Sequence, residues 1–480
     1  MLEGCPVLGW AASGGMALTG QADGAPVASP APAFGLLSAV VGELAAATRA
    51  AGVEVRADPG ELVAGRAALA GFRRRGRVSA GGSARLLRAA DGWCAVNLSR
   101  GDDVAAVPAI IGALGVSGGG GAGAGDGAGA DRAWEALEAA ALGTRAEVLA
   151  EAAQLLGVPA GALPSARPAA EPAAARPAAG LGGSGQSGGR SPGRVARIAA
   201  PSAAARLAGA VVVDLSSMWA GPLCARLLGL AGADVIKVET AARPDGARAG
   251  ERRFFDWLHA GHRSVVLDFR AESGRRALAA LLAAADVVIE ASRPRALAQL
   301  GLAPEMIPHR DGQVWLSITG YGRGDDGALA ERVAFGDDAA VAGGLVGWAG
   351  DGRGGDVWGG DVWGVGEPVF CADAIADPLT GLCGALAVAR SVAGGGGQLI
   401  DLAMRDVAAG FAAAPAADHG PHSVRAVAAG GGDAVVTCAA LGLEQAVRPP
   451  RAPVLSGAAA EMGADTADVL AWLIAGSAGC

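Results

Sequence analysis

"AVVVDLSSMWAGPLCARLLGLAGADVIKVE", residues 210–239, reads as a strand, a helix and a second strand. "AVVVDLS" is short, apolar and β-branched, as a strand buried on both faces must be. "AGPLCARLLGLAGA" (220–233) spaces its leucines for one helical face and sets Pro222 in the first turn, where a missing N–H costs nothing. "DVIKVE" (234–239) returns to strand character. The unit repeats downstream. "RSVVLDF" (263–269) is a strand, "AESGRRALAALLAAA" (271–285) a helix, and "DVVIE" (286–290) and "QVWLSITGYG" (313–322) are further strands. Alternating strands and helices predict an α/β fold with a Rossmann-like, doubly wound parallel sheet and a second, smaller α+β domain. Ligands of such sheets sit beyond the carboxyl ends of the strands. Here those ends are "SSMWAG", "ETAARPDGAR", "EASRPRAL" and "TGYGRGDD".

Working outward, two low-complexity stretches divide the 480 residues. "SGGGGAGAGDGAGA" (117–130) reads as a flexible insertion. Residues 164–204, rich in Pro, Ala, Gly and Ser, read as a disordered linker with little to bury. The expected organisation is a unit at 1–163, the linker, and a unit at 205–480. A faint internal repeat joins the two units: residues 9–26 and 341–354 share a small-residue, double-glycine core followed by Asp-Gly.

Composition excludes several functions. The net charge is −8 and no long basic run is present, which argues against a nucleic-acid surface. Lys237 is the single lysine, as a base-composition bias would produce. No G-x-G-x-x-G follows the first strand and no Walker A sequence occurs, so dinucleotide and P-loop chemistry are disfavoured. The apolar run 277–291 is broken by Asp286 and too short to span a bilayer, and no secretory leader is evident. No membrane association is expected. Seven cysteines without a CxxC pair suggest free thiols and a cytoplasmic protein. The pairs His259/His262 and His419/His422 each enclose glycine, so neither lies on a clean helical face, and no metal is expected.

"PVFCADAIADPLTGLCGAL" (368–386) places Asp373 and Asp377 four residues apart in apolar surroundings. Read alone, Asp377 before Pro378 is a helix N-cap with proline at the first helical position. A metal ligand and a nucleophile are the other readings.

Taken together, Asp214, Ala220-Gly221-Pro222, Gly232-Ala233 and Lys237-Val238-Glu239, with "HRSVVLDFR", "ADVVIEASRPRALAQLGL", "LSITGYG" and "GGGGQLIDLAMRDVAAG" (394–410), resemble the class III CoA-transferases. That superfamily includes formyl-CoA and carnitine-CoA transferases and α-methylacyl-CoA racemase. The resemblance is strong over about 209–410. It implies a transferase that moves CoA between carboxylic acids through aspartyl anhydride and thioester intermediates, with acyl-CoA as substrate and no permanently bound cofactor. It also implies a homodimer, possibly interlocked in the family's manner. Asp377, with Gly381 four residues on, matches the family's nucleophile; Asp373 does not. Ser217, Met218, Arg248, Arg263, Ser292 and Arg293 fall in the implied CoA site, with Arg248 as a phosphate contact. His262-Arg263 and Glu290-Ala291-Ser292 depart from the family's usual Lys-Arg and Glu-Asn-aromatic.

Asp337 and Asp338 of "FGDDAA" fall in the implied acyl pocket with Gly343, Gly344 and Gly381. Gly343-Gly344 and Gly394–Gly397 are the candidate oxyanion donors. Asp337 stands where the racemases carry histidine, so racemisation, which needs a base on each side of the α-carbon, is the runner-up. A non-catalytic scaffold is the alternative outside enzymes. In the first unit, 9–26 and 81–103, with Asp91-Gly92-Trp93, resemble parts of the family's fold, yet no aspartate between 27 and 45 matches the nucleophile. The two units therefore read as complementary, the first docking on the second.

Overall fold

The computed structural model describes residues 5–115, 127–168, 193–324, 327–350, 357–358, 364, 366–415, 420–427 and 434–477. Most of the expected insertion (117–126), linker residues 169–192, His419 and most of the tandem "GGDVW" repeat lie outside the described residues.

The centre is a seven-stranded sheet whose strands we number β1–β7 in chain order: Gly193–Arg197, Val211–Asp214, Asp234–Glu239, Arg263–Val266, Val287–Glu290, Val314–Thr319 and Gln398–Ala403. Their order across the sheet is β1-β7-β6-β5-β2-β3-β4. All neighbours are parallel except β1 with β7. The mostly parallel, doubly wound sheet is the expected one. Strands β5 and β6 are buried along their whole length, which is why they read as unbroken apolar runs. The chain winds from β2 out to β4 and then jumps back beyond β2 to β5. The carboxyl ends of β2 and β5 thus flank the point where winding reverses, the crevice where such sheets bind ligands.

The structure corrects two boundaries. The end of the expected linker forms β1, which pairs with β7 from Arg197–Gln398 to Gly193–Leu402. An edge strand needs one ladder of backbone hydrogen bonds and no apolar face, so its exposed "GRVAR" side chains gave no strand signal. The end of the glycine-rich stretch, Gly127–Ala130, opens the helix Gly127–Leu142.

Residues 5–70 share a core with the sheet's helices. Leu37, Val40 and Leu44 of the helix Ala31–Ala50 lie in the same apolar cluster as Leu379, Leu382 and Leu386 of the helix Ala376–Ala393. Ala31–Ala50 is long and apolar enough to cross a membrane; here it packs along Ala376–Ala393. A smaller α+β layer follows. Strands Ala84–Arg88, Trp93–Asn97 and Ala160–Ala162 form an antiparallel sheet, backed by helices Gly101–Ala113, Gly127–Leu142 and Ala146–Leu155 around their own core. That layer touches the helix Gly336–Ala342, where Ala84, Leu86 and Trp93 meet Val341, Val346 and Phe370.

Candidate active site

Asp377 lies in the first turn of the helix Ala376–Ala393, two positions inside its N-cap, which is Ile375. The reading of Asp377 as the cap is thereby corrected. Its carboxylate points across the helix start and accepts a hydrogen bond from Gly336 N–H, 3.1 Å from Oδ2. Only glycine fits there, because a Cβ at 336 would stand 2.4 Å from that oxygen and 2.2 Å from the carbonyl of Ala374. Gly381, one turn on, has a different task. A Cβ there would meet the Ala220 carbonyl at 2.6 Å, so glycine lets this helix lie close against the helix Ala220–Leu230. Asp377 is thereby brought beside the N-terminus of a helix that leaves β2, where N–H groups and the helix dipole favour an anion.

Three acids converge here, and their environments separate them. Asp373 is fully buried and held by a bidentate pair with Arg66, Nε to Oδ2 at 2.9 Å and NH2 to Oδ1 at 2.7 Å. Asp337 is 5% exposed and accepts from Ala374 N–H at 3.1 Å. Asp377 keeps 8% of its surface, the most of the three, and makes no ion pair among the described residues. Burial pushes Asp377 up to about 7; the Arg66 charge and the N–H groups of Gly336 and Ala220 pull against that rise. Burial, reinforced by Asp373, pushes Asp337 to about 7 as well. Asp338 does not join the group. It turns back to cap its own helix from Phe335 N–H at 3.0 Å, near Asn97 at 3.4 Å.

Arg66 was not legible in the sequence. It projects from the helix Pro59–Ala70, more than 300 residues before the acids it faces. Its guanidinium lies 4.9 Å from the Trp219 ring centre and 5.6 and 5.8 Å from those of Phe72 and Phe254. Aromatic faces accept a planar cation and exclude water, which suits arginine and not lysine. Backbone strain marks the same place. Of the described residues other than glycine, three have positive φ: Met218 (74°), Ala372 (54°) and Ala374 (42°). Two flank Asp373 and the third precedes Trp219. Such conformations cost about 1–3 kcal/mol each and persist where surrounding structure enforces them.

The residues expected at the CoA site divide. Ser217 is exposed and Met218 half-buried in the β2 crevice, where Met218 N–H donates to Asp245 at 3.0 Å. Ser292 and Arg293 follow β5 on the other side of the same crevice. Arg248 is engaged by Glu239, with NH2 to Oε2 at 2.6 Å, and its guanidinium carbon lies 4.3 Å from the Phe255 ring centre. That pair engages Nε and Nη2 of the guanidinium. Arg263 begins β4 and pairs with Asp234 at the start of β3, at the amino ends of the strands and away from the crevice. Other arginines gather at the carboxyl ends. Burial lowers the pKa of Arg293, and the nearby charges of Arg295, Arg243 and Arg100 lower it further. Arg243 and Arg293 make no ion pair among the described residues.

Of the expected oxyanion donors, Gly343 packs against the helix Met404–Ala412, where a Cβ would meet the Arg405 carbonyl at 2.6 Å. Gly344, at φ 81°, turns the chain after Gly336–Ala342. Gly394–Gly397 lie at the far end of an 18-residue helix, about 25 Å from Asp377 by helical rise. They serve the turn into β7. Gly336 N–H is the donor that reaches the carboxylate.

Residues 207–442 match CoA-transferase family III. Among curated relatives, the beta subunit of succinyl-CoA–L-malate CoA-transferase from Chloroflexus aurantiacus is 33% identical over 210 residues, 41% of this chain and 49% of the relative. Succinate–glutarate CoA-transferase from Agrobacterium fabrum is 31% identical over 42% of this chain and 51% of the relative. Formyl-CoA:oxalate CoA-transferase from Afipia carboxidovorans is 33% identical over 27% and 32%. The chain therefore spans about half or less of the length of these relatives. A CAIB/BAIF family protein from Brucella suis is a solved structure 27% identical to this chain, with a TM-score of 0.39 over 50% of this chain and 66% of that one.

Proposed function

We propose, from the match of residues 207–442 to CoA-transferase family III, that the protein moves CoA from an acyl-CoA donor to a carboxylic acid acceptor with Asp377 as nucleophile. The observation that carries the proposal is the environment of Asp377: a carboxyl at the winding-reversal crevice, with the Gly336 N–H fixed on Oδ2 and a pKa raised by burial to about 7.

The ionised carboxylate attacks the thioester carbonyl. CoA thiolate leaves and an aspartyl–acyl anhydride remains. The thiolate then attacks the aspartyl carbonyl, releasing the donor acid and leaving an aspartyl–CoA thioester. The acceptor carboxylate attacks that carbonyl and forms a new anhydride. Thiolate attack on the acceptor's carbonyl yields the new acyl-CoA and restores Asp377. Two steps put negative charge on the aspartyl oxygen, and Gly336 N–H, already 3.1 Å from Oδ2, stands ready for it. The raised pKa keeps Asp377 more nucleophilic than an ordinary carboxylate, while Arg66 keeps it ionisable near neutrality. Arg243 and Arg293 are the candidates for the CoA phosphates, in place of Arg248 and Arg263.

One observation favours the runner-up. Asp377's charge helps raise Asp337, and burial pushes both carboxyls up to about 7, as a proton-exchanging pair would need. The experiment that separates the readings gives the protein a 2-methylacyl-CoA in heavy water, with and without a carboxylic acid acceptor. Transfer requires the acceptor and leaves the α-proton in place; α-exchange without acceptor identifies the racemase.

A further inference from the structure

Cys5, His422 and Cys438 converge, buried, from three separate elements. Cys5 precedes the helix Pro6–Ala12. His422 and Cys438 are directly opposite one another in the antiparallel pair His422–Ala426 and Ala434–Cys438, so their side chains share a face. The three are 1%, 1% and 0% exposed. Their ligand atoms all lie within 4.8 Å of one another, with Cys5 Sγ 3.1 Å from His422 Nε2.

We propose that Cys5, His422 and Cys438 bind one zinc ion. Two thiolates and an imidazole form a donor set of the softness and size that zinc takes, with a water completing a tetrahedron. A tetrahedral zinc ion holds such donor atoms about 3.3–3.8 Å apart, so small side-chain rotations close the site. Charge supports it. On binding, both thiols release their protons to solvent and the neutral ring coordinates through Nε2. One dication with two thiolates is net neutral and can stay in an apolar core at little cost. The sequence concealed the site, because His422 drew attention as the partner of His419, and the cysteines lie 417 residues before it and 16 after it.

The ion would bolt residues 5–12 to the strand pair 422–438 and so fix the segment that leads into Arg66. Closing a loop of that length is where a cross-link restricts the unfolded chain most.

The test uses the full-length protein, grown with zinc and purified without chelator. Elemental analysis should find about one zinc per chain, and none in the Cys5→Ser/Cys438→Ser double variant. Cys383→Ser, which removes a buried thiol elsewhere, should keep the metal. Cobalt added to chelator-stripped wild type should develop thiolate-to-cobalt charge-transfer absorption, and zinc should restore the Tm that stripping lowers. The cobalt and Tm readings use wild-type sequence, so they stand even if the double variant fails to fold. A folded wild-type protein that holds no zinc and gives no cobalt band would overturn the proposal. So would a Cys5–Cys438 disulfide in the purified protein, or a double variant with undiminished zinc.

Discussion

The burial that would make Asp377 a reactive nucleophile in the proposed mechanism also makes it costly. Its carboxyl titrates near 7 in the folded protein against an ordinary value of 3.8, so the folded state binds the proton more tightly. Stability is therefore greatest below about pH 4 on this group's account and falls as pH rises toward 7. Asp377→Asn replaces the charge with a neutral isostere. It should abolish transfer, by at least about 1,000-fold, and still raise Tm at pH 8, where the removed cost is on the order of 2–4 kcal/mol. At pH 4 the gain should vanish; equal Tm changes at both pH values would contradict the assignment. The rate should follow the ionised form, with kcat rising through an inflection near pH 7. Arg66→Gln removes the charge that holds this inflection down. It should shift the inflection upward by about one unit, read from kcat–pH profiles of the two proteins. Asp373→Asn strands the buried Arg66 charge instead. The expected loss is about 3–5 kcal/mol of stability, measured by denaturant unfolding, with the pH profile's shape retained in the folded fraction.

At the scale of elements, glycines decide how close the helix that carries Asp377 can come. Gly381 lets Ala376–Ala393 approach the Ala220 carbonyl, and Gly336 lets its own N–H reach Asp377. Gly381→Val should force the two helices apart at a cost of about 1–3 kcal/mol and displace Asp377 from its donor. Gly336→Ala puts a methyl where the carboxylate lies and should reduce kcat more than it raises KM, measured by steady-state kinetics. These elements were largely legible. Strands such as 234–239 and 287–290 and the helices between them announce themselves because a doubly buried parallel strand must be continuously apolar. The strand 193–197 did not, since an edge strand is held by backbone alone. Asp377 was singled out in the sequence by its position in "ADPLTG". Its first-turn place was not, because the strained turn at Ala372–Ala374 puts the N-cap at Ile375, two residues before the aspartate.

Across the whole molecule, the site is assembled from distant parts of one chain. The helix Ala31–Ala50 lies along Ala376–Ala393, and the stretches leading into them touch: Ala372 N–H donates to Thr19 Oγ1 at 2.9 Å and Trp348 N–H to Ser29 Oγ at 2.8 Å. "APAFGL" (31–36) matches "DPLTGL" (377–382) with Ala31 in the place of Asp377. The first repeat thus carries the scaffold without the counterpart of Asp377, and the segment after it supplies Arg66, which pairs with Asp373. Arg66 could not be assigned from sequence, because its partner Asp373 lies 307 residues away and no local pattern encodes that contact. Residues 205–480 expressed alone would expose the apolar face that Leu37, Val40 and Leu44 cover. That fragment should be inactive and aggregation-prone, and added residues 1–163 should restore solubility and activity. A soluble fragment with full activity would mean that the first unit is dispensable.

The central claim, that Asp377 becomes covalently acylated, is tested most directly by trapping. Wild-type protein is mixed with acyl-CoA and hydroxylamine, digested, and analysed by peptide mass spectrometry. A hydroxamate on Asp377, absent from Asp377→Asn and absent without acyl-CoA, is the predicted result. An unmodified Asp377 in protein that is turning over acyl-CoA would contradict the account.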